Sequence, residues 1–446
     1  MTQCTRQTLE FQRLGRRKVT ARFDAPAITS DAGGLLLREI DAKFQFIRQF
    51  ADCFVDYRSP RFTVHSLEQL LAQRIFGIAL GYEDLNDHEQ LRHDPLLAVL
   101  AGKNDPAPLH GYALAGKSTL NRLELTPVGA DQRSRYKKIV ACHRDIEAFF
   151  VNAFLQVHRV PPQRIVLDVD ATDDPLHGHQ LGRFFHGYYK SYCYLPLYIF
   201  CGSHLLCAKL RPSDIDAAAG CVKQLDRIVR QIRQTWPQVQ IVVRGDSGFC
   251  REELMRWCET NDVQYVLGLA KNQRLNSILS AELQQARQLF ESRGMAARVY
   301  KDFHYQTRTS WSRRRRVIGK AEHLAKGPNP RFVVTNLSAD QYDAVQVYEK
   351  EYCGRGDMEN RIKEQQLYSV CRSHQCFDHA CQSVATVVIE RRLCDRQCVA
   401  RSRFAWDGIR ESPMPHDPAQ TVQNRSRHSY HRAPRVGLPF HQLSVR

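Results

Sequence analysis

Apolar residues recur at two different spacings along this chain, and the change of spacing divides it. Up to about residue 160 they return every three or four positions, the period of a helix with one buried face. Leu67, Leu70, Leu71, Ile75, Ile78 and Ala79, with Arg74 on the same stripe, run between a Ser66/Gln69 capping box and Gly81 as C-cap, which predicts a helix. Asp94-Pro95 opens a second before Leu96, Leu97, Val99 and Leu100, because Asp caps orphan N–H groups and Pro fits the first turn. Residues 1–160 are therefore expected to be mostly helical, led by a basic arm that includes Arg13, Arg16, Arg17 and Lys18.

After Pro161-Pro162 the period shortens. Arg164 to Thr172 reads as a strand whose apolar run is broken by Asp168 and Asp170, which share a face because side chains two apart point the same way. Tyr192–Phe200 and Leu205–Leu210 read as strands around the hairpin signal Cys201-Gly202-Ser203-His204. A helix capped by Ser213, carrying Val222, Leu225, Val229 and Ile232, leads to a buried strand, Gln240–Arg244, that runs into Gly245-Asp246-Ser247-Gly248. A helix from about Arg251 to Thr260 and a strand at Gln264–Leu269 follow. The order β-β-β-α-β-α-β predicts an α/β fold with a three-stranded meander beside parallel strands joined by crossovers.

Weaker patterning over about 271–330 predicts an inserted subdomain, after which Arg331–Thr335 resumes a strand and Tyr348 to about Gln366 a helix. The expected division is a front domain over 1–160, a core over 161–370 and an atypical remainder over 371–446. That last stretch of 76 residues holds 12 Arg and 6 His but no Lys, and its periodicity nearly vanishes after Ile389. It reads as disordered or as the product of a reading-frame change.

Charge narrows the class of partner. With 64 Lys+Arg against 47 Asp+Glu the formal net charge is +17, which favours a polyanion, with nucleic acid foremost. The 15 cysteines form no C-x-x-C pair and read as reduced, packed thiols; structural zinc is not expected. No apolar run nears the roughly 18–20 residues that span a bilayer, and the start lacks a signal-peptide h-region. The expected location is cytoplasmic, without a membrane partner.

Three carboxylates can converge. Asp170 closes the first strand, Asp246 follows the fourth, and Glu359 lies on the late helix with Tyr352, Arg355 and Lys363 on the same face. Any one alone is more often a cap or a solvated ion pair. Together they repel unless a cation compensates, and oxygen-only ligands select Mg²⁺ or Mn²⁺. Asp168, on the same face as Asp170, is an alternative first ligand. Arg313, Arg314, Arg315 and Arg316 beside Trp311 could track phosphates and stack on an unpaired base, and Arg16, Arg17 and Lys18 could add sequence-independent affinity. Gly111 to Ser118 fits the phosphate-loop pattern G-x4-G-K-[ST], but no buried strand precedes it. Lys117-Ser118-Thr119 reads instead as a helix start, and no nucleotide cofactor is expected.

Leu167 to Pro175 with His177-Gly178, Arg244 to Phe249, and Tyr352 to Glu364 resemble the three acidic blocks of DDE transposases, most closely the 1380 group of bacterial insertion sequences. Asp24-Ala25-Pro26, Thr29 to Gly34 and Gln73 to Asp87 resemble that group as well. The resemblance implies a ribonuclease H-like core with an insertion, behind a helical domain for DNA-end binding or dimer contacts. It implies a catalytic triad of Asp170, Asp246 and Glu359 holding two Mg²⁺, with DNA cleavage at transposon ends followed by strand transfer into target DNA. It further implies terminal inverted repeats as partner, a homodimer on DNA and association with the nucleoid. Tyr352, Arg355 and Glu359 fit a Tyr-x2-Arg-x3-Glu signature; relatives have Lys seven residues after the Glu, where this chain has Gln366, so Lys363 is the substitute phosphate contact. Two other readings are a catalytically dead DNA-binding relic that represses movement and a host metal-dependent nuclease of similar core.

Overall fold

The computed structural model describes residues 9–22, 29–103, 113–176, 183–368 and 444–445. The expected remainder from Cys371, apart from that final pair, lies outside the described residues, as do Asp24-Ala25-Pro26, His177-Gly178 and the Gly111-Tyr112 start of the phosphate-loop pattern.

Strand alternation builds the main sheet. Its strands are β3 (Arg164–Ala171), β4 (Leu197–Cys201), β5 (His204–Lys209), β6 (Gln240–Gly245), β7 (Gln264–Leu269), β8 (Ala297–Tyr305), β9 (Arg315–Leu324) and β10 (Arg331–Thr335), in the order β5-β4-β3-β6-β7-β10-β9-β8. β3 pairs antiparallel with β4 and parallel with β6, and β6 is parallel to β7. Alternate residues point to opposite faces. Leu167, Val169, Ile241, Val243, Leu267, Val317 and Val334 join one core, packed with α7 (Cys221–Thr235) and α8 (Glu252–Thr260). Val242, Val266, Ile318 and Val333 go to the other face, against Val347 and Tyr348 of a late helical segment. The molecule is thus a mixed α/β protein.

Two expectations about this region change. The helix placed from Ser213 starts only at Cys221, after Gly220 with φ 72°, and Ser213 instead donates its hydroxyl to the Phe184 carbonyl at 2.9 Å. Residues 271–330 do not stand apart: β8 and β9 join β10 in extending the same sheet antiparallel beyond β7, with α9 (Ser280–Arg293) packed on them.

The front region has its own core, formed by α1 (Gly34–Phe44), α2 (Phe46–Ala51), α3 (Leu67–Leu80), α4 (Pro95–Leu100) and α5 (Lys117–Glu124). The Ser66/Gln69 capping box forms, and Gly81, with φ 104°, ends α3 as a left-handed cap. The basic arm is a β-hairpin, β1 (Leu9–Leu14) and β2 (Arg17–Arg22): Leu14 and Val19 turn into the core while Arg13, Arg16, Arg17 and Lys18 stay exposed around Gly15. Ser444–Val445 pairs along β2.

One helix belongs to both cores. α6 (His143–Val157) gives Ile146, Phe149 and Phe150 to the front core and Val151 and Phe154 to the sheet core. From α7, Arg227 and Gln231 donate to its carbonyls at Glu147 and Ala148, at 2.7 and 2.9 Å.

Candidate active site

Asp168 and Asp170 leave β3 on the face away from α7, level with Phe200 and Tyr198 of β4. Two residues apart, they meet different surroundings. Asp168, 3% exposed, is gripped by Arg244 of β6 through two bonds of 2.5 and 2.8 Å. Burial pushes its carboxyl up, and Arg244 opposes that. Asp170 has no such partner; burial first, then the charges of Asp246 and Glu359, push it up to about 6, against the pull of Arg355.

Asp246 follows directly from β6. The last paired position in the β3–β6 ladder is Gly245 opposite Val169, so Asp246 stands level with Asp170. Its Oδ1 accepts the Gly248 N–H at 2.8 Å, capping a short turn, Ser247–Phe249. The carboxylate is thereby held at the strand end.

The third carboxylate arrives on a helix that changes gauge: a π-helical stretch, Gln346–Tyr352, a tight turn, Cys353–Arg355, then α10 (Gly356–Tyr368). The expected helix is present and its backbone stays right-handed through all three segments, and Tyr352 and Arg355 both lie within electrostatic reach of Asp246. Met358 and Ile362, four apart, anchor α10 on Tyr198, Phe200 and Leu205, burying roughly 1.5–3 kcal/mol of apolar side chain apiece. Arg164 holds Glu351 at 2.6 Å and Arg244 donates to the Glu351 carbonyl at 2.7 Å, fixing the segment across β3 and β6. Two glycines permit this approach. A Cβ on Gly354 would fall 2.5 Å from the Arg244 guanidinium, and one on Gly268 only 2.6 Å from the Tyr352 hydroxyl.

Glu359 accepts from Arg355 at 2.7 Å. The Arg355 guanidinium lies within electrostatic reach of Asp170, Glu359 and Asp246 and is the counter-charge in their midst. As placed, among the described residues no three His, Cys, Asp or Glu side chains gather tightly enough to hold an ion. The chemistry of the donors nonetheless suits one. All three are carboxylates, the hard oxygen ligands of Mg²⁺ or Mn²⁺, and Asp170, raised first by burial and then by the charges of Asp246 and Glu359, is a carboxylate whose ionised form a bound cation would favour.

The other expected contacts divide. Lys363 is exposed on α10. Trp311, 6% exposed, packs edge-on against Tyr305 and lies under Arg315, so its face is closed to a base. Arg315 is buried and pairs with Glu252 and Glu259; Arg316 is buried and pairs with Asp302 while donating to the Leu337 and Tyr342 carbonyls. Neither guanidinium reaches a phosphate from there. Arg313, though paired with Glu259, and Arg314 are exposed. Lys117 opens α5, residues 113–116 before it are not in a strand, and its amide donates to Glu89 and its ammonium to Asn86.

Sequence reasoning missed Tyr189, whose hydroxyl donates to the Ala171 carbonyl at 3.4 Å and whose phenol is raised by burial and by Asp173, Asp170 and Asp246. It lies in the turn of a small hairpin, Phe184–His186 against Ser191–Tyr194, that also carries exposed Phe185, Tyr188 and Tyr192. The signal was present in the aromatic run Phe184-Phe185-His186-Gly187-Tyr188-Tyr189.

A family model described as Transposase DDE domain group 1 matches residues 11–382. A search of curated proteins returns no match.

Proposed function

Since the chain belongs to the Transposase DDE domain group 1 family, we propose that it cuts and joins DNA at insertion-sequence ends with Asp170, Asp246 and Glu359 as its catalytic carboxylates, in the manner of the 1380 group. The observation that carries this is the placement of the three carboxylates, Asp170 and Asp246 at the ends of neighbouring parallel strands and Glu359 on a helix where it pairs with Arg355, with Asp170 feeling the charge of both others. A ribonuclease H-like core is supported by strand order: taking β3, β4, β5, β6 and β7 as one to five, the sheet reads 3-2-1-4-5, with the first three antiparallel and the last two parallel to the first. Residues up to about 160 form the proposed DNA-end or dimer-contact domain, and the active species on DNA is a homodimer.

Bound Mg²⁺ or Mn²⁺, two ions in this reading, would be held by Asp170, Asp246 and Glu359 and would supply activation of water or of a 3′-hydroxyl. The protein's own residues do the positioning. Asp168 is the supporting carboxylate rather than the first ligand, because its two oxygens are engaged by Arg244. Arg355 keeps Glu359 oriented, and with Tyr352 it offers donors toward a phosphate at the strand ends. Lys363, Arg313, Arg314 and the hairpin residues Arg16, Arg17 and Lys18 are exposed cations suited to DNA backbone contact. No helix among the described residues is long and apolar enough to cross a membrane.

The test is Mg²⁺-dependent nicking of DNA bearing the element's terminal inverted repeats. We expect strand cleavage by the wild type and none by Asp246→Ala or Asp170→Ala, with DNA binding kept. Cleavage retained in both variants overturns the triad. The repressor reading makes the opposite forecast: wild-type binding to such ends without cleavage at any divalent-ion concentration would establish it.

A further inference from the structure

A second cationic site lies in the front region, away from the carboxylates. A cavity of about 700 Å³ is lined by Arg58, Arg92, Arg122, Arg135, Tyr136 and Lys138 among others, and among the described residues no acidic side chain lines it. The cations come from widely separated stretches of sequence. Arg58 is held by Asp56 through bonds of 2.9 and 2.7 Å and by the His65 carbonyl, which fixes its direction. Arg122 and Arg135 make no ion pair among the described residues; both lie over the Tyr136 ring, 5.1 and 4.9 Å from its centroid. The Nε of Arg92 is buried without a hydrogen-bond partner. His65, on the same wall, is lowered by burial and then by the charges of Lys103, Arg92 and Arg58, an independent sign of positive potential.

Apolar and aromatic surface accompanies the charge. Tyr136 is 57% exposed, and Phe62, on the cavity wall and capped by Arg61, is 80% exposed. Guanidinium groups suit phosphate, and unlike the buried Trp311, Tyr136 keeps more than half of its surface open beneath its two guanidiniums, so a base can meet the open part of the ring or stack on a guanidinium plane. A duplex keeps its base faces stacked and shows only their edges in the grooves; a cavity with an aromatic wall matches an unpaired strand better. Lone phosphate would leave the aromatic surface without a role.

We propose that this cavity binds a short single-stranded stretch of DNA, its phosphates on Arg92, Arg122 and Arg135 and a base against Tyr136. The inference rests on reading the chain as a DNA-handling protein but not on its carboxylates. The experiment is therefore run in EDTA: fluorescence anisotropy of full-length protein with a labelled oligothymidylate of about ten nucleotides, compared with a duplex of equal length. Tyr136→Ala should weaken single-strand binding by about five- to hundredfold and duplex binding far less. Arg122→Ala combined with Arg135→Ala should weaken it further and flatten the dependence of log affinity on log salt by about 0.7 for each phosphate no longer neutralised. Arg122→Lys with Arg135→Lys should restore most of the slope, and thermal melts should match the wild type for all variants. Wild-type affinity and slope in the double alanine variant overturn the proposal, as does an equal loss for duplex and single strand in Tyr136→Ala. Failure of the catalytic reading would show in the nicking assay and leave these metal-free affinities untouched.

Discussion

Arg313 to Arg316 stand side by side in the sequence, whereas Arg58, Arg92, Arg122 and Arg135 are scattered through the front third. The contiguous run is broken up by the pleat and by burial: Arg315 and Arg316 close ion pairs inside the protein while Arg313 and Arg314 face outward. The scattered set converges on one cavity with no carboxylate among the described residues of its wall. Density of charge along a chain therefore says little about charge offered to a ligand. What matters is whether the fold brings acids to the same place. Glu252 and Glu259 sit on one side of α8, and β9 lays Arg315 against them, while Asp302 of β8 takes Arg316.

The sharpest break of this contrast is Arg315→Ala. It leaves Glu252 and Glu259 without their buried partner and should cost about 3–5 kcal/mol, read by urea denaturation, with DNA affinity per folded molecule unchanged. A loss of DNA affinity at wild-type stability would place Arg315 with the binding set instead. The second test uses pH. Arg315 holds the carboxyls of Glu252 and Glu259 below their ordinary value of 4.5, although burial acts the other way. Folded values below unfolded ones mean that the stabilisation is complete above 4.5 and is lost as pH falls through the lower folded values. Denaturation midpoints should thus fall on the acid side for the wild type and be flatter for Arg315→Ala. The smallest effect is expected at the surface: Arg313→Ala with Arg314→Ala should change stability by about 0.5 kcal/mol per site or less while lowering the salt dependence of DNA binding. A loss of several kcal/mol there would mean that the run acts as one structural unit.

Local periodicity carried most of the fold. The alternation in Arg164–Ala171 and Gln240–Gly245 and the capped stripe of Leu67–Leu80 state their own faces and ends. Pairing between distant segments does not announce itself, so the extension of the sheet by β8 and β9 read as a separate subdomain. The helix at Ser213 failed for a similar reason: its hydroxyl is taken by Phe184, 29 residues away, and the chain needs Gly220 before it can coil. Among the candidate site residues, Asp170, Asp246 and Glu359 can be picked out as acids at element ends. Choosing between Asp168 and Asp170 could not be done from the strand alone, because the difference lies in Arg244 on its neighbour. Trp311 misled because an aromatic beside arginines has the same letters whether it lies in a core or on a surface.

The helix His143–Val157 is wall to two cores at once. A rod shared in this way works as the spine of a pair of calipers rather than the pivot of tongs. On the function proposed above, whatever the front half grips would stand at an interval from the strand ends that was set when the polypeptide folded, and the place where DNA is cut would become a measured length.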